Sequence, residues 1–286
     1  MILVAIVLLA ATAGNGPLSV VEAVILGAVE GITEFLPISS TGHLLVAERM
    51  LGLGEGSGKA AADTYAIAIQ VGAIAAVVAL YRGRIVQLGR GLLGRDDEGR
   101  RILVALAVAF LPAAVIGVAV GDVVKDRLFG PWPVIVAWAV GGVFLLVWRP
   151  VAGRLTIGDL TVRHAAIIGA AQVLALWPGT SRSLTTIVGA LALGYTMSTA
   201  VEFGFLLGLV TLSAATVLDL AKDGSTLLDE YGWRSPLLGA LVAFVTAVLA
   251  VRWLVDYLRT RPLTIFGWYR LGVAAFAVIL LTTGVI

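Results

Sequence analysis

Apolar positions run along this chain in blocks, and the polar residues fall either between the blocks or at two points inside them. The block at residues 18–36 has helical spacing, but Glu30 and Glu34 interrupt it one turn apart and therefore share a face. Pro37 ends that helix, and the polar tip Ile38-Ser39-Ser40-Thr41-Gly42-His43 leads into a short apolar run at 44–51. Two short helices around a polar break predict a re-entrant hairpin, tolerated at membrane depth only where protein or a water-filled cavity shields the free backbone groups. The same pattern returns at 165–177 and 184–197, which carry no charge and flank the stretch WPGTSRSLTT at 177–186. Arg182 thus sits at the tip of a second apolar hairpin, where an ionisable group costs a few kcal/mol or more and by default marks a functional site.

Three blocks after the first hairpin (63–80, 102–120, 132–148) and three after the second (200–220, 236–255, 271–286) approach the ~20 residues that cross a bilayer as a helix. Residues 2–14 are apolar but shorter, without the basic flank of a signal peptide. They are expected to form a membrane-embedded N-terminal extension, with a cleaved signal as the alternative.

Composition agrees with the pattern. Of 286 residues, 59% are hydrophobic and 13% charged, and the mean hydropathy is +1.01, which excludes a soluble domain. The expectation is an all-α polytopic membrane protein. Zero cysteines exclude thiol chemistry and disulfides. The net charge of +2 contains no basic stripe of the kind nucleic acid requires, so the partners expected are the bilayer and a lipid. Arg82, Arg84, Arg90, Arg95, Arg100 and Arg101 place the first long loop on the cytoplasmic side, and Arg149, Arg154 and Arg163 place the loop two spans later on the same side. Arg252, Arg259, Arg261 and Arg270 put the last loop inside and the C-terminus outside.

The hairpins also resemble each other. Leu26-Gly27-Ala28-Val29-Glu30 and Phe35-Leu36-Pro37-Ile38-Ser39-Ser40 line up with Ile168-Gly169-Ala170-Ala171-Gln172 and Trp177-Pro178-Gly179-Thr180-Ser181 after a single-residue gap. This predicts one membrane domain of two repeats, about 18–148 and 165–286, each a hairpin plus three spans, with 1–17 as the extension. Three is odd, so the second copy is inverted, and the two tips are expected to meet near the midplane.

Such a meeting point gathers Glu30 and Glu34, the imidazole of His43, the Arg182 guanidinium, and the hydroxyls of Ser39, Ser40, Thr41, Thr180, Ser181 and Ser183. Arginine presents a fork of donors matched to phosphate oxygens, and helix N-termini after the breaks offer N–H groups to an anion. Carboxylates beside a phosphate repel it unless they hold a cation, and hard oxygen ligands favour Mg²⁺ or Ca²⁺. A hydroxyl beside a histidine is a minimal nucleophile and base, and a metal-activated water serves as well. Other readings stay open: hydroxyls that glue helices together, carboxylates on an ion pathway, and Arg182 as a cation locking the hairpins. Glu202 either supports the site or caps its helix.

Residues 30–43, EGITEFLPISSTGH, resemble the N-terminal signature of bacterial undecaprenyl-diphosphatases of the bacitracin-resistance type, and Pro178-Gly179-Thr180-Ser181-Arg182-Ser183 with Thr186 resembles their second signature. The resemblance runs from about residue 18 to the end and includes Phe266-Gly267-Trp268-Tyr269-Arg270. The chain departs at Leu184-Thr185, at Val210 and in its N-terminal extension. The resemblance implies hydrolysis of undecaprenyl diphosphate to the monophosphate and inorganic phosphate, which recycles the lipid carrier of cell-wall synthesis, at a site open to the outer face of the bacterial plasma membrane. By motif, Glu30 and Glu34 are metal or acid/base residues, Ser40 and His43 the nucleophile and its partner, and Arg182 the diphosphate clamp. Ser39, Thr41, Gly179, Thr180, Ser181, Ser183 and Thr186 complete the phosphate site. Ser40 and a metal-bound water remain equal candidates for nucleophile. The competing class is a secondary transporter or flippase of a lipid phosphate, since inverted repeats with broken helices serve both. A homodimer is left open.

Overall fold

The computed structural model describes residues 18–53, 59–150 and 152–286; the expected N-terminal extension lies outside them. Eleven α-helices form among the described residues, and the only β pairing there is an isolated bridge between Leu155 and Tyr195. In chain order they are α1 (Val20–Thr33), α2 (Ser40–Met50), α3 (Lys59–Leu80), α4 (Arg82–Leu92), α5 (Asp97–Leu128), α6 (Pro131–Val147), α7 (Val162–Val173), α8 (Arg182–Ala192), α9 (Met197–Tyr231), α10 (Arg234–Leu258) and α11 (Thr264–Thr282). The chain is a multi-pass membrane protein: α3, α5, α9, α10 and α11 are long and apolar enough to cross a bilayer. The sixth expected span, α6, has 17 residues, about 25 Å at 1.5 Å each, short of the ~30 Å hydrocarbon thickness.

Local chemistry sets the boundaries. Ser19 caps α1 in a reciprocal box with Glu22, Asp96 caps α5 through the Gly99 N–H, and Thr161 and Thr196 cap α7 and α9. The helices α5 and α9 run to 32 and 35 residues, past the apolar blocks at 102–120 and 200–220. Their charged ends continue as helix because helices need not stop where the lipid does, and Lys125 of α5 lies 3.8 Å from Asp219 of α9. The amphipathic α4 is held by Arg84, which reaches Glu98 at 2.9 Å and Glu202 at 2.7 Å. Glu202 thereby pairs with α4, and the cap of α9 is Thr196.

The hairpins α1–α2 and α7–α8 are both present, and each first helix packs on a span from the other half of the chain: α1 on α10, and α7 on α5. Small residues allow the approach. A Cβ on Gly27 would stand 3.0 Å from Gly239 Cα, and one on Gly169 would stand 2.8 Å from Ala109 Cα. Ser39 (φ 73°) and Ser181 (φ 77°) are the only non-glycine residues with positive φ among the described residues, and each immediately precedes the second helix of its hairpin. They are separated by the same spacing as Glu30 and Gln172, so the two serines match at a spacing that needs no single-residue gap, unlike the sequence comparison. Ser40 then corresponds to Arg182.

Candidate active site

Because α1 and α7 are broken by Pro37 and by Pro178-Gly179, their tips carry exposed backbone groups, and the structure joins them to each other. Ser183 Oγ donates to the Leu36 carbonyl at 2.8 Å, and Ser181 Oγ approaches the same carbonyl at 3.4 Å. Trp138 of α6 donates its indole N–H to the Ile38 carbonyl at 2.8 Å. Arg270 of α11 completes the joint: fully buried, it donates Nη1 to the carbonyls of Pro37 (3.3 Å) and Thr180 (3.2 Å), and Nη2 to those of Ala137 and Gly179 (both 2.8 Å).

At this junction Arg182 faces Glu34. Nη2 lies 3.1 Å from Glu34 Oε1 and Nη1 donates to the Gly204 carbonyl at 3.1 Å, while the Phe35 ring lies 5.6 Å from the guanidinium carbon. Arg182 Nε is buried with no partner. The other oxygen of Glu34 accepts a hydrogen bond from the Ser40 hydroxyl. Opposite the guanidinium is Gly208, where a Cβ would stand 2.5 Å from Cζ. Together Glu34, Ser39, Ser40, Thr41, Gly179, Ser181 and Arg182 line a cavity of about 180 Å³, with Gln70, Gln172 and Thr211 on its far walls. That volume is on the order of an engineered cavity that takes a benzene ring, enough for a phosphate group.

Several sequence-derived candidates stand elsewhere. His43 is not in the cavity wall: Nδ1 lies 2.6 Å from the Ser39 carbonyl, which can only accept, so Nδ1 carries the proton and Nε2 accepts from the Tyr269 hydroxyl at 2.9 Å. Its ring stacks on Tyr269 and meets Trp138 edge-on. The Ser40 hydroxyl therefore has Glu34, not His43, as its partner. Thr186 and Ser183 are fully buried and spend their hydroxyls on backbone carbonyls, and Thr180 faces a separate apolar cavity beside Leu184 and Thr185. Glu30 is fully buried one turn before Glu34, and both its carboxylate oxygens are without a partner. Arg270 was placed in the last cytoplasmic loop by sequence; it lies inside α11. An arginine following the apolar-aromatic run 265–269 carried the same signal that singled out Arg182.

Glu30's orphaned oxygens suit a hard cation, the donor chemistry expected of Mg²⁺ or Ca²⁺. No three His, Cys, Asp or Glu side chains gather as a ligand set among the described residues, so the remaining ligands would be hydroxyls, water and the substrate's own oxygens.

A polar cavity at the junction of two broken helices, with a guanidinium, a carboxylate and a hydroxyl in one hydrogen-bonded chain, sits here within a polytopic membrane protein. The chain belongs to the family of bacitracin resistance protein BacA, whose model matches residues 23–276. It is 46% identical to the undecaprenyl-diphosphatase of Sorangium cellulosum (strain So ce56), over 89% of this chain and 84% of that one. It is 41% identical to the undecaprenyl-diphosphatase of Rhodopseudomonas palustris (strain BisA53) over 93% and 98%, and 39% identical to undecaprenyl-diphosphatase 1 of Acinetobacter baylyi over 89% and 93%.

Proposed function

We propose that this protein is an undecaprenyl-diphosphate phosphatase, hydrolysing the carrier diphosphate to undecaprenyl phosphate and inorganic phosphate for reuse in cell-wall synthesis. Relatives of that name align along nearly the whole chain, and the observation that carries the reading is the chain Arg182–Glu34–Ser40 at the meeting point of both hairpins.

In this mechanism Arg182 and the cavity's hydroxyls hold the diphosphate, and Glu34 takes the proton from the Ser40 hydroxyl as Oγ forms a bond to the terminal phosphorus. The bridging P–O bond breaks, and undecaprenyl phosphate departs. A water then hydrolyses the phosphoserine, returning the proton to Ser40. Glu30, whose oxygens are without a partner, would hold a divalent cation that offsets the charge of the diphosphate, with hydroxyls, water and substrate oxygens as its other ligands. Gly179, with φ 92°, lets the second tip approach the Val134 backbone.

The proposal includes two inverted repeats, about 18–148 and 165–286, in the bacterial plasma membrane with the site open to the outer side. Two observations support the inverted repeats. The left-handed serines stand at matching places. Hairpin one begins beside α10's N-terminus, where Ser235 Oγ donates to the Leu18 carbonyl, whereas hairpin two begins beside the loop before α9, where His164 Nδ1 lies 2.7 Å from the Tyr195 hydroxyl. Those two places are at opposite ends of α9, which Tyr195 precedes and Ser235 follows.

The test is phosphate release from a C15 or C55 prenyl diphosphate by purified protein in detergent, with and without EDTA. Release without any membrane gradient, lost in Ser40→Ala and suppressed by EDTA, is the expected outcome. Binding without release would return the reading to a lipid-phosphate carrier.

A further inference from the structure

The cavity has a wall that the phosphatase reading leaves unused. Gln172 lies in the last turn of α7 with its side chain only 2% exposed, and it lines the same cavity as Glu34, Ser40 and Arg182. Its amide oxygen accepts from the Thr211 hydroxyl at 3.3 Å, a proton shared with the Leu207 carbonyl at 2.8 Å. The amide nitrogen is buried with no partner, and so is Nε of Arg182, another residue that lines this cavity. Buried N–H groups are costly to leave unpaired and in folded proteins nearly always have an acceptor. Two such donors, on two residues that line one small cavity, point to a ligand that brings acceptor oxygens.

The place of Gln172 in the fold sharpens this. It stands in hairpin two where Glu30 stands in hairpin one, at the spacing that separates Ser181 from Ser39. A carboxylate there would add a negative charge and no donor against an anion, whereas the amide keeps the shape and supplies N–H groups without charge.

We infer that Gln172 is a phosphate-binding residue, donating its amide N–H to a phosphoryl oxygen alongside Arg182, with Thr211 holding the amide in that orientation. The identity of the ligand as a prenyl diphosphate rests on the phosphatase reading; its being an oxyanion rests on the unpaired donors. The inference makes the cavity two-sided: charge from hairpin two's tip, a neutral donor from the end of α7.

The experiment compares purified wild type, Gln172→Met and Gln172→Glu in detergent with Mg²⁺ present. One assay is phosphate release from farnesyl diphosphate; the other is calorimetric binding of inorganic diphosphate; thermal melting is the folding control. Gln172→Met is expected to melt with wild type yet lose about ten- to a hundredfold in both kcat/KM and diphosphate affinity, the size of one hydrogen bond to a charged acceptor. Gln172→Glu is expected to lose more in both. Should the charged variant fail to fold, Gln172→Met and Thr211→Val decide, the latter expected to lose severalfold in affinity as the amide turns free. Wild-type affinity in Gln172→Met overturns the inference, as does tighter binding in Gln172→Glu, which would mean that the amide oxygen faces the cavity. A wild type that binds no diphosphate overturns it too. If wild type binds diphosphate but releases no phosphate, the phosphatase reading falls while the affinity comparison still judges Gln172.

Discussion

Arg182 makes two different kinds of bond with one planar group, an ion pair to Glu34 and a hydrogen bond to the Gly204 carbonyl, and its buried Nε has no partner. Lysine supplies charge without the fork. Arg182→Lys is therefore expected to fold and insert normally yet lose roughly 2–4 kcal/mol of transition-state stabilisation, about 30- to 1,000-fold in kcat/KM. Steady-state kinetics beside a melting curve check this, and near-wild-type turnover would reduce Arg182 to a structural cation. The place of Arg182 at the junction of the two tips was legible because an arginine inside an uncharged stretch needs a partner. The partner of Ser40 was not: His43 is three residues away in sequence, but its ring nitrogens are taken by the Ser39 carbonyl and by Tyr269, a residue from the last helix. Pairings across the fold, such as those of Tyr269, Trp138 and Gly208, leave no trace in local spacing.

The two hairpins were visible as polar breaks in apolar runs, and their shared register is fixed by backbone rather than by residue identity. Ser39 precedes α2 at φ 73° and ψ 103° with no side-chain cap, so its conformation is held by the surrounding tips rather than by its own hydroxyl. Backbone of this kind costs on the order of 1–3 kcal/mol for a side chain that resists it. Ser39→Gly is expected to melt at or above the wild-type temperature, whereas Ser39→Val, β-branched, is expected to melt lower by an amount corresponding to about 1–3 kcal/mol. Thermal unfolding of both in detergent is the measurement. A valine variant as stable as the glycine one would mean that the tip relaxes at no cost. Ser181 behaves differently, because its Oγ accepts from the Leu184 N–H and so caps α8.

The halves of the chain are joined by Arg270 and oriented by their loops, and these two facts bear on each other. Arg270 was counted among the cytoplasmic arginines; its real acceptors are four carbonyls from both tips and α6, so Arg270→Leu should destabilise by about 3 kcal/mol or more, against little change in Arg259→Leu. Differential melting of the pair checks it. Removing Arg270 from the loop count leaves Arg259 and Arg261 between α10 and α11, with Arg252 in α10's last turns, so the positive-inside assignment stands on fewer charges but keeps its sign. Contacts constrain the rest. The Arg84–Glu202 pair puts α4 beside the start of α9, and the Leu155–Tyr195 bridge ties the loop before α7 to the same place, so the basic loops share one side. The Lys125–Asp219 pair brings the far ends of α5 and α9 together on the other. From there α10 returns to the basic side and α11 crosses once more. Tags inserted at 93–96 and at 152–156 are accordingly expected to be protected from external reagents in intact cells, and a tag after Ile286 to be labelled. A protected C-terminus would break the parity on which the proposed inversion of the second repeat depends, and with it the expectation that the site opens outward.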